Sequence, residues 1–271
     1  MKRSKWDQRI QRAEELSATH PFAAEVLLFY KEITTFQKDL YSYVERAKSK
    51  PPKESVFYSF HEDLDFDLLL PRLPEFLLLT EKIGPPQIAK SAADLQTQDA
   101  GRWRELLTSC WTSGPDFLPA LENTEALLAW LFLQPYAECI ADHSEPMPRN
   151  QNLAVCPRCS RGPVVGVLRP EGDGGKHSLI CSMCSTEWPF GRIVCPACGE
   201  ETVEKLAVYT ANQFDHVRVE ACDTCHFYIK TVDLTKNGLA VPVVDELATI
   251  PLNLWAREHQ YVKLRPNVLG I

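Results

Sequence analysis

The sequence predicts an α+β protein, with a helical N-terminal domain, two tandem rubredoxin-like or zinc-ribbon modules of four cysteines each, and a C-terminal helix. Three observations predict it. Eight of the ten cysteines form four C-x-x-C pairs between residues 156 and 225, the half before them has helical periodicity, and 271 residues exceed one minimal domain. A composition of 45% hydrophobic and 24% charged residues is that of a folded chain and excludes global disorder. No run approaches the ~18 apolar residues of a membrane span, and the charged start Met1-Lys-Arg-Ser-Lys leads into no apolar stretch. A cytoplasmic chain without membrane insertion is expected.

The helical domain is expected over 1–150. Pro21–Lys48 places Val26, Tyr30, Ile33, Leu40 and Val44 on one face, opens at His20-Pro21 and closes at Lys50-Pro-Pro52. Shorter helices are predicted at Ser4–Ser17, Pro71–Ile83, Pro85–Leu95, Asp99–Ser113 and Glu125–Ala141. Asp63-Leu-Asp65-Phe-Asp67 alternates like a calcium loop but lacks its Gly and distal Glu, so it reads as an extended segment with Leu64 and Phe66 inward. Cys110 and Cys139 read as small core hydrophobes. Ser144–Asn152, with Pro146 and Pro148, reads as the linker to the ribbons.

The four pairs are Cys156/Cys159, Cys181/Cys184, Cys195/Cys198 and Cys222/Cys225. Two intervening residues let a tight turn aim both sulfurs at one ion, and two such turns complete a tetrahedral site. An internal repeat orders the pairing. The first and third pairs lie 39 residues apart and the second and fourth 41, which gives CxxC-x21-CxxC followed by CxxC-x23-CxxC. The modules are therefore expected at 151–192 and 193–271, with crossed pairings left open. Strands are predicted at Val164–Leu168 and His177–Ile180 around Gly172–Gly175, and at Val203–Tyr209 and His216–Ala221 around Asn212–Asp215. Gly199 suits the left-handed place after its knuckle, where the first knuckle carries Ser160. Phe227–Leu234 reads as a strand and Val241–Val244 as a short extended piece. A last helix follows, capped by Asp245 or Thr249 and striped by Leu247, Ile250, Leu254 and Trp255, and is expected to pack across the ribbon–bundle junction.

Four thiolates leave no open coordination position, so two closed tetrahedral sites holding iron or zinc are expected, with no water activation. Only iron would add electron transfer. Cys222-Asp-Thr-Cys225-His226 also fits a haem-attachment pattern, and C-x-x-C alone fits a dithiol oxidoreductase, but the repeat already gives every pair a partner. No nucleophile motif, HExxH or phosphate loop occurs, so no enzymatic activity is expected. The net charge of −7 divides into −6 over 1–150 and −1 over 151–271, and Arg158, Arg161 and Arg169 are the only local basic group in the ribbons, so nucleic acid is not an expected partner.

Leu179-Ile-Cys181-Ser-Met-Cys184-Ser-Thr-Glu187-Trp188, with Arg192 and Cys195-Pro-Ala-Cys198-Gly199, resembles the FdhE family, the formate dehydrogenase accessory (formation) proteins of bacteria. The likeness runs through Arg218, Cys222–Cys225, Tyr228-Ile-Lys230-Thr-Val-Asp233 and Pro242-Val-Val-Asp245-Glu-Leu-Ala248 to Leu252-Asn-Leu-Trp255 and Tyr261. Glu246 and Asn253 stand where the family usually has Asp. The resemblance implies rubredoxin-like metal sites on the eight paired cysteines. It further implies a cytoplasmic maturation factor for the catalytic, molybdenum- or tungsten-dependent subunit of a respiratory formate dehydrogenase. The alternative is a rubredoxin-like iron protein of electron transfer. Trp188, Arg192, Tyr228 and Lys230 lie close in sequence to the knuckles and form the expected partner-contact set, because aromatics and Arg are common binding hot spots. The other reading, favoured over contact, is that Trp188 and Tyr228 merely cover the metal sites.

Overall fold

The structure, a computed structural model, describes residues 4–48, 64–114, 123–144, 152–172 and 174–267. The helical half comprises α1 (Lys5–Thr19), α2 (Ala24–Lys48), α3 (Phe66–Leu69), α4 (Leu73–Ile83), α5 (Pro86–Gln96), α6 (Ala100–Thr112) and α7 (Thr124–Asp142). Strands β1 (Pro163–Glu171), β2 (Gly174–Cys181), β3 (Glu187–Pro189), β4 (Leu206–Thr210), β5 (Val217–Cys222) and β6 (Phe227–Asp233) follow, then α8 (Pro242–Ala248), α9 (Ile250–Glu258) and β7 (Val262–Lys263). The five shorter predicted helices and Pro21–Lys48 match observed helices, except that Pro21–Ala23 and Pro71 fall in short 3-10 turns before α2 and α4. Asp65 departs from the extended reading: its Oδ1 accepts from Leu68 N (3.1 Å) and starts α3, while Leu64 is buried as expected. Most of the predicted linker lies outside the described residues.

α7 is buried from Ala126 to Ala141, as befits a helix apolar nearly all round, and α2, α5 and α6 pack on it. Pro135 inside it has no N–H, which leaves the Leu131 carbonyl without its helical donor. Gln37 of α2 fills that role, donating to Leu131 O (2.7 Å) and to Gln134 Oε1 (3.0 Å).

The two ribbons expected as separate modules are joined in one sheet of order β3-β2-β1-β6-β5-β4. Within each ribbon the strands are antiparallel, and β1 meets β6 in parallel through Gly166–Thr231, Val167–Val232 and Leu168–Asp233. A Cβ on Gly166 would lie 2.3 Å from Thr231 Oγ1, so the join needs glycine there. One apolar core runs from the helices into Cys156, Cys181, Trp188 and Phe190. A second places Val167, Val219 and Val232 of the sheet with Leu252 and Ala256 of α9.

The C-terminal region corrects two expectations. Val241–Val244 is not extended, because Pro242 has the fixed φ that suits a first helical residue, and α8 starts there. The single last helix is broken at Thr249, since Pro251 has no N–H for the Leu247 carbonyl. The expected stripe is broken with it, and Leu254 is exposed. α8 does cross the junction, touching α1, α2, β1 and β6. Its Asp245 accepts from Arg12 Nε of α1 (3.0 Å) and from Val241 N (2.7 Å), and lies 2.9 Å from His216 Nε2.

Lys230 occupies the helix break. It is 0% exposed, donates to the carbonyls of Glu246 and Thr249, and lies 2.9 Å from Glu246 Oε1. Burial pulls its ammonium down to about 8 against the attraction of Glu246. Burial alone would raise Glu246, but Lys230 and Lys263 hold it at about 2. A carboxyl whose folded value lies below its ordinary 4.5 stabilises the fold above that pH and ceases to as pH falls toward 2. Glu246→Gln, which leaves Lys230 buried beside a neutral amide, should cost about 3–5 kcal/mol at neutral pH. Urea unfolding should show its deficit against the wild type closing as pH falls below 4.5.

Candidate metal centres

Each C-x-x-C folds into the same knuckle. Ser160 N, Gly199 N and His226 N donate to the carbonyls of Cys156, Cys195 and Cys222 at 2.9, 2.9 and 2.8 Å, and Cys181 N donates to Thr186 O at 2.9 Å. The residue after each second cysteine is left-handed: Ser160 (φ 58°), Ser185 (53°), Gly199 (76°) and His226 (60°). Gly199 was legible as such a residue, whereas Ser185 and His226 were not. That backbone turn aims amides at sulfur, with Arg158 N, Met183 N and Ala197 N each 3.4 Å from the first Sγ of their knuckle.

The sequential pairing holds. Cys156, Cys159, Cys181 and Cys184 form one cluster and Cys195, Cys198, Cys222 and Cys225 the other, each with its Sγ atoms within 4.8 Å of one another. Separations of 3.3–3.7 Å across the pairs exceed a disulfide and approach the ~3.8 Å edge of a tetrahedron with metal–sulfur bonds of about 2.3 Å. The donor set fits zinc or iron equally. Burial pushes the Cys181 and Cys184 thiols up, so ionising them at this spacing requires a cation, and loading releases protons. Cys222 and Cys225 are thus committed to a four-sulfur cluster, and His226 serves the knuckle turn. Cys110 and Cys139 stand apart, each buried and pushed up to about 12 by that burial.

The clusters differ in surroundings. Three sulfur residues of the first are buried and it belongs to the helical core, whereas Cys198 of the second is exposed. α7 seats the first cluster directly. Gln134 Nε2 donates to Ser182 O (3.0 Å), and Ser185 Oγ donates to Glu138 Oε1 (2.8 Å). Burial alone would raise Glu138, but Arg9, at 2.6 Å, and Lys5, at 2.9 Å, hold it below the usual carboxylate range. From the ribbon side, Arg161 donates to Gly114 O (2.6 Å), Cys110 O (2.9 Å) and Trp111 O (3.0 Å) at the C-terminal end of α6. These seat residues were missed in the sequence. The signal was present in Gln134 and Glu138, two polar residues one turn apart in an otherwise apolar run.

The expected contact set does not form a surface. Trp188 is 1% exposed and donates from Nε1 to Leu153 O (2.9 Å), Tyr228 is buried, and Lys230 is enclosed by α8. Trp188 of β3 enters the helical core, and β6 is covered on both faces, with Tyr228 in the second core. Arg192 alone of the four is exposed. Of the basic group, Arg161 is spent on α6 and Arg169 pairs with Glu187 (2.8 Å). No helix among the described residues is long and apolar enough to cross a membrane.

A helical body fused to one sheet that carries two four-cysteine clusters defines a class of four-cysteine ribbon proteins. Within it, residues 155–192 match the FdhE central domain and 193–269 the FdhE C-terminal domain. Similar curated proteins include the FdhE homolog of Aquifex aeolicus, 29% identical over 77% of this chain and 72% of that one. Another is the FdhE homolog of Rhizobium meliloti, 31% identical over 70% and 62%. The crystal structure of the FdhE protein from Pseudomonas aeruginosa shares the fold, with a TM-score of 0.71 at 23% identity over 99% of this chain and 97% of that one. The chain belongs to the FdhE family, the formate dehydrogenase formation proteins.

Two outcomes follow from the geometry. Metal loss to a chelator should be biphasic in a colorimetric assay, the fast phase belonging to the exposed second cluster and disappearing in Cys198→Ser. Ser160→Gly relieves a left-handed non-glycine residue and should stabilise the loaded protein by about 1 kcal/mol, read from the thermal midpoint.

Proposed function

We propose that this protein is a cytoplasmic, non-catalytic maturation factor that binds the catalytic subunit of a respiratory formate dehydrogenase on a scaffold stiffened by two rubredoxin-like four-cysteine sites. The run of FdhE domains across 155–269 carries the reading. Geometry supports the scaffold role, because four sulfurs surround each centre and leave a substrate no position there. A metal, when bound, supplies a cross-link between two knuckles, adding folding energy that a thin ribbon core lacks. The rigid surface then holds an immature partner with little ordering cost.

A redox contribution is favoured by one observation, the exposure of Cys198, which gives the second cluster an open side for electron exchange if it holds iron. Elemental analysis of protein purified without oxygen or added metal separates the two. About two irons per chain with a reversible visible band would add a redox step, and about two zincs would leave scaffolding alone. The function itself is tested by complementation of a strain lacking its FdhE protein. The wild type should restore formate-dependent dye reduction and co-purify with the catalytic subunit. Restored activity without any such association would sink the binding reading.

A further inference from the structure

The internal repeat sets the two metal centres side by side, and one residue differs in a way that bears on the metal. Cys181-Ser-Met-Cys184-Ser185-Thr186 of the first ribbon corresponds to Cys222-Asp-Thr-Cys225-His226-Phe227 of the second. A hydroxyl therefore follows one knuckle and a phenyl ring the other.

The backbone holds that hydroxyl in place. Thr186 O accepts from Cys181 N and closes the knuckle, and β3 begins at the next residue. α7 clamps the same knuckle from the other side, through Gln134 to Ser182 and Glu138 to Ser185. Thr186 is half-buried, with its Oγ1 3.2 Å from Cys184 Sγ. The hydroxyl makes no other hydrogen bond among the described residues, so its rotor is free to serve the sulfur.

Charge makes that contact matter. A divalent ion held by four thiolates leaves a net negative charge on the sulfurs. Three of the four cysteines of the first centre are buried, so protein donors must stand in for water there. Arg158 N and Met183 N serve Cys156 and Cys181 at 3.4 Å. Cys184 is buried as well, and Thr186 is the side chain that answers it. In the second centre Cys198 is exposed to water, and Phe227 offers its neighbour only a ring.

We propose that Thr186 is an outer-sphere residue of the first metal centre, its hydroxyl donating to the Cys184 thiolate and so retarding loss of the ion from this centre alone. In the thiol form Cys184 donates to Thr186 Oγ1. When that proton leaves to solvent on metal binding, the hydroxyl turns and donates to the thiolate. A donor to a charged sulfur spreads its charge and fixes its direction toward the ion. The inference rests on the metal-centre part of the proposed function and does not depend on the partner.

The test uses the full-length chain expressed in cobalt-supplemented medium. Co²⁺ enters four-sulfur sites and reports itself by a thiolate-to-metal charge-transfer band. Release to a chelator is followed at that band, and Cys198→Ser assigns the phase that belongs to the first centre. Thr186→Val keeps the shape and removes the hydroxyl. It should speed the first centre's phase about tenfold or more and leave the other phase unchanged. The band should move to lower energy, because a thiolate without its donor gives up electrons more readily. Thr186→Ser, which keeps the hydroxyl, should behave as the wild type in both readouts. Wild-type release and spectrum in Thr186→Val overturn the proposal and leave the metal centres standing. Faster release with an unmoved band, or without rescue by serine, assigns Thr186 to packing and overturns it too. Faster release from both centres is general loosening and has the same consequence. A chain that takes up no Co²⁺ overturns the centres and the proposal together.

Discussion

The structure depends on how a buried helix tolerates polar atoms. α7 runs through the middle of the apolar core, yet Pro135 strips a donor from Leu131, and Gln134 and Glu138 bring an amide and a carboxylate into the same surroundings. Each would be costly alone. Gln37 answers Leu131 and fixes Gln134, Gln134 answers Ser182, and Glu138 is answered by Arg9, Lys5 and Ser185. A network of this kind rigidifies what it connects, with Glu138 Oε2 met by Lys5 as an ion pair. What it connects are α1, α2, α7 and the knuckle of Cys181 and Cys184, so the first cluster is anchored to the helical body through hydrogen bonds as well as through apolar packing.

From that anchor the rest of the sheet is placed in sequence. The knuckle fixes β2, β2 fixes β1, and β1 receives β6 across a contact that only Gly166 permits. β6 in turn carries Lys230 under α8, where it takes the carbonyls exposed by the break at Thr249. α8 closes the circuit to α1 through Asp245 and Arg12. The second cluster, although far along the chain, is thereby held in a fixed relation to the helices. Breaking the circuit at a charged residue is worse than replacing the charges altogether, because the remaining ion would stay buried without its partner.

Much of this was legible. The eight paired cysteines, their sequential pairing, the helices and the strand pattern follow from spacing and periodicity, which are local properties. The parallel β1–β6 join was not, because neither strand shows its neighbour; only Gly166, where a side chain would be expected, hinted at a close approach. Lys230, expected at a contact surface, lies buried for a related reason. Chemistry that marks a binding hot spot in the open also marks a satisfied buried group, and β6 is covered on both faces, which the sequence of one strand does not show. The helix break at Thr249 was readable from Pro251 and was overlooked because the apolar stripe runs on through it in the sequence.

The two clusters are unequal in what they can hold in place. The first lies inside the core that holds α7, so its sulfurs and the polar seat beneath them stabilise the joint between helices and sheet. A change there would be felt as instability of the whole chain. The second stands at the far side of the sheet with Cys198 at the surface, and its knuckles support β4 and β5. It can therefore shape a surface without being needed to close the core. Two copies of one ribbon, joined through a single pair of strands, thus take different roles because the helical body covers only the first.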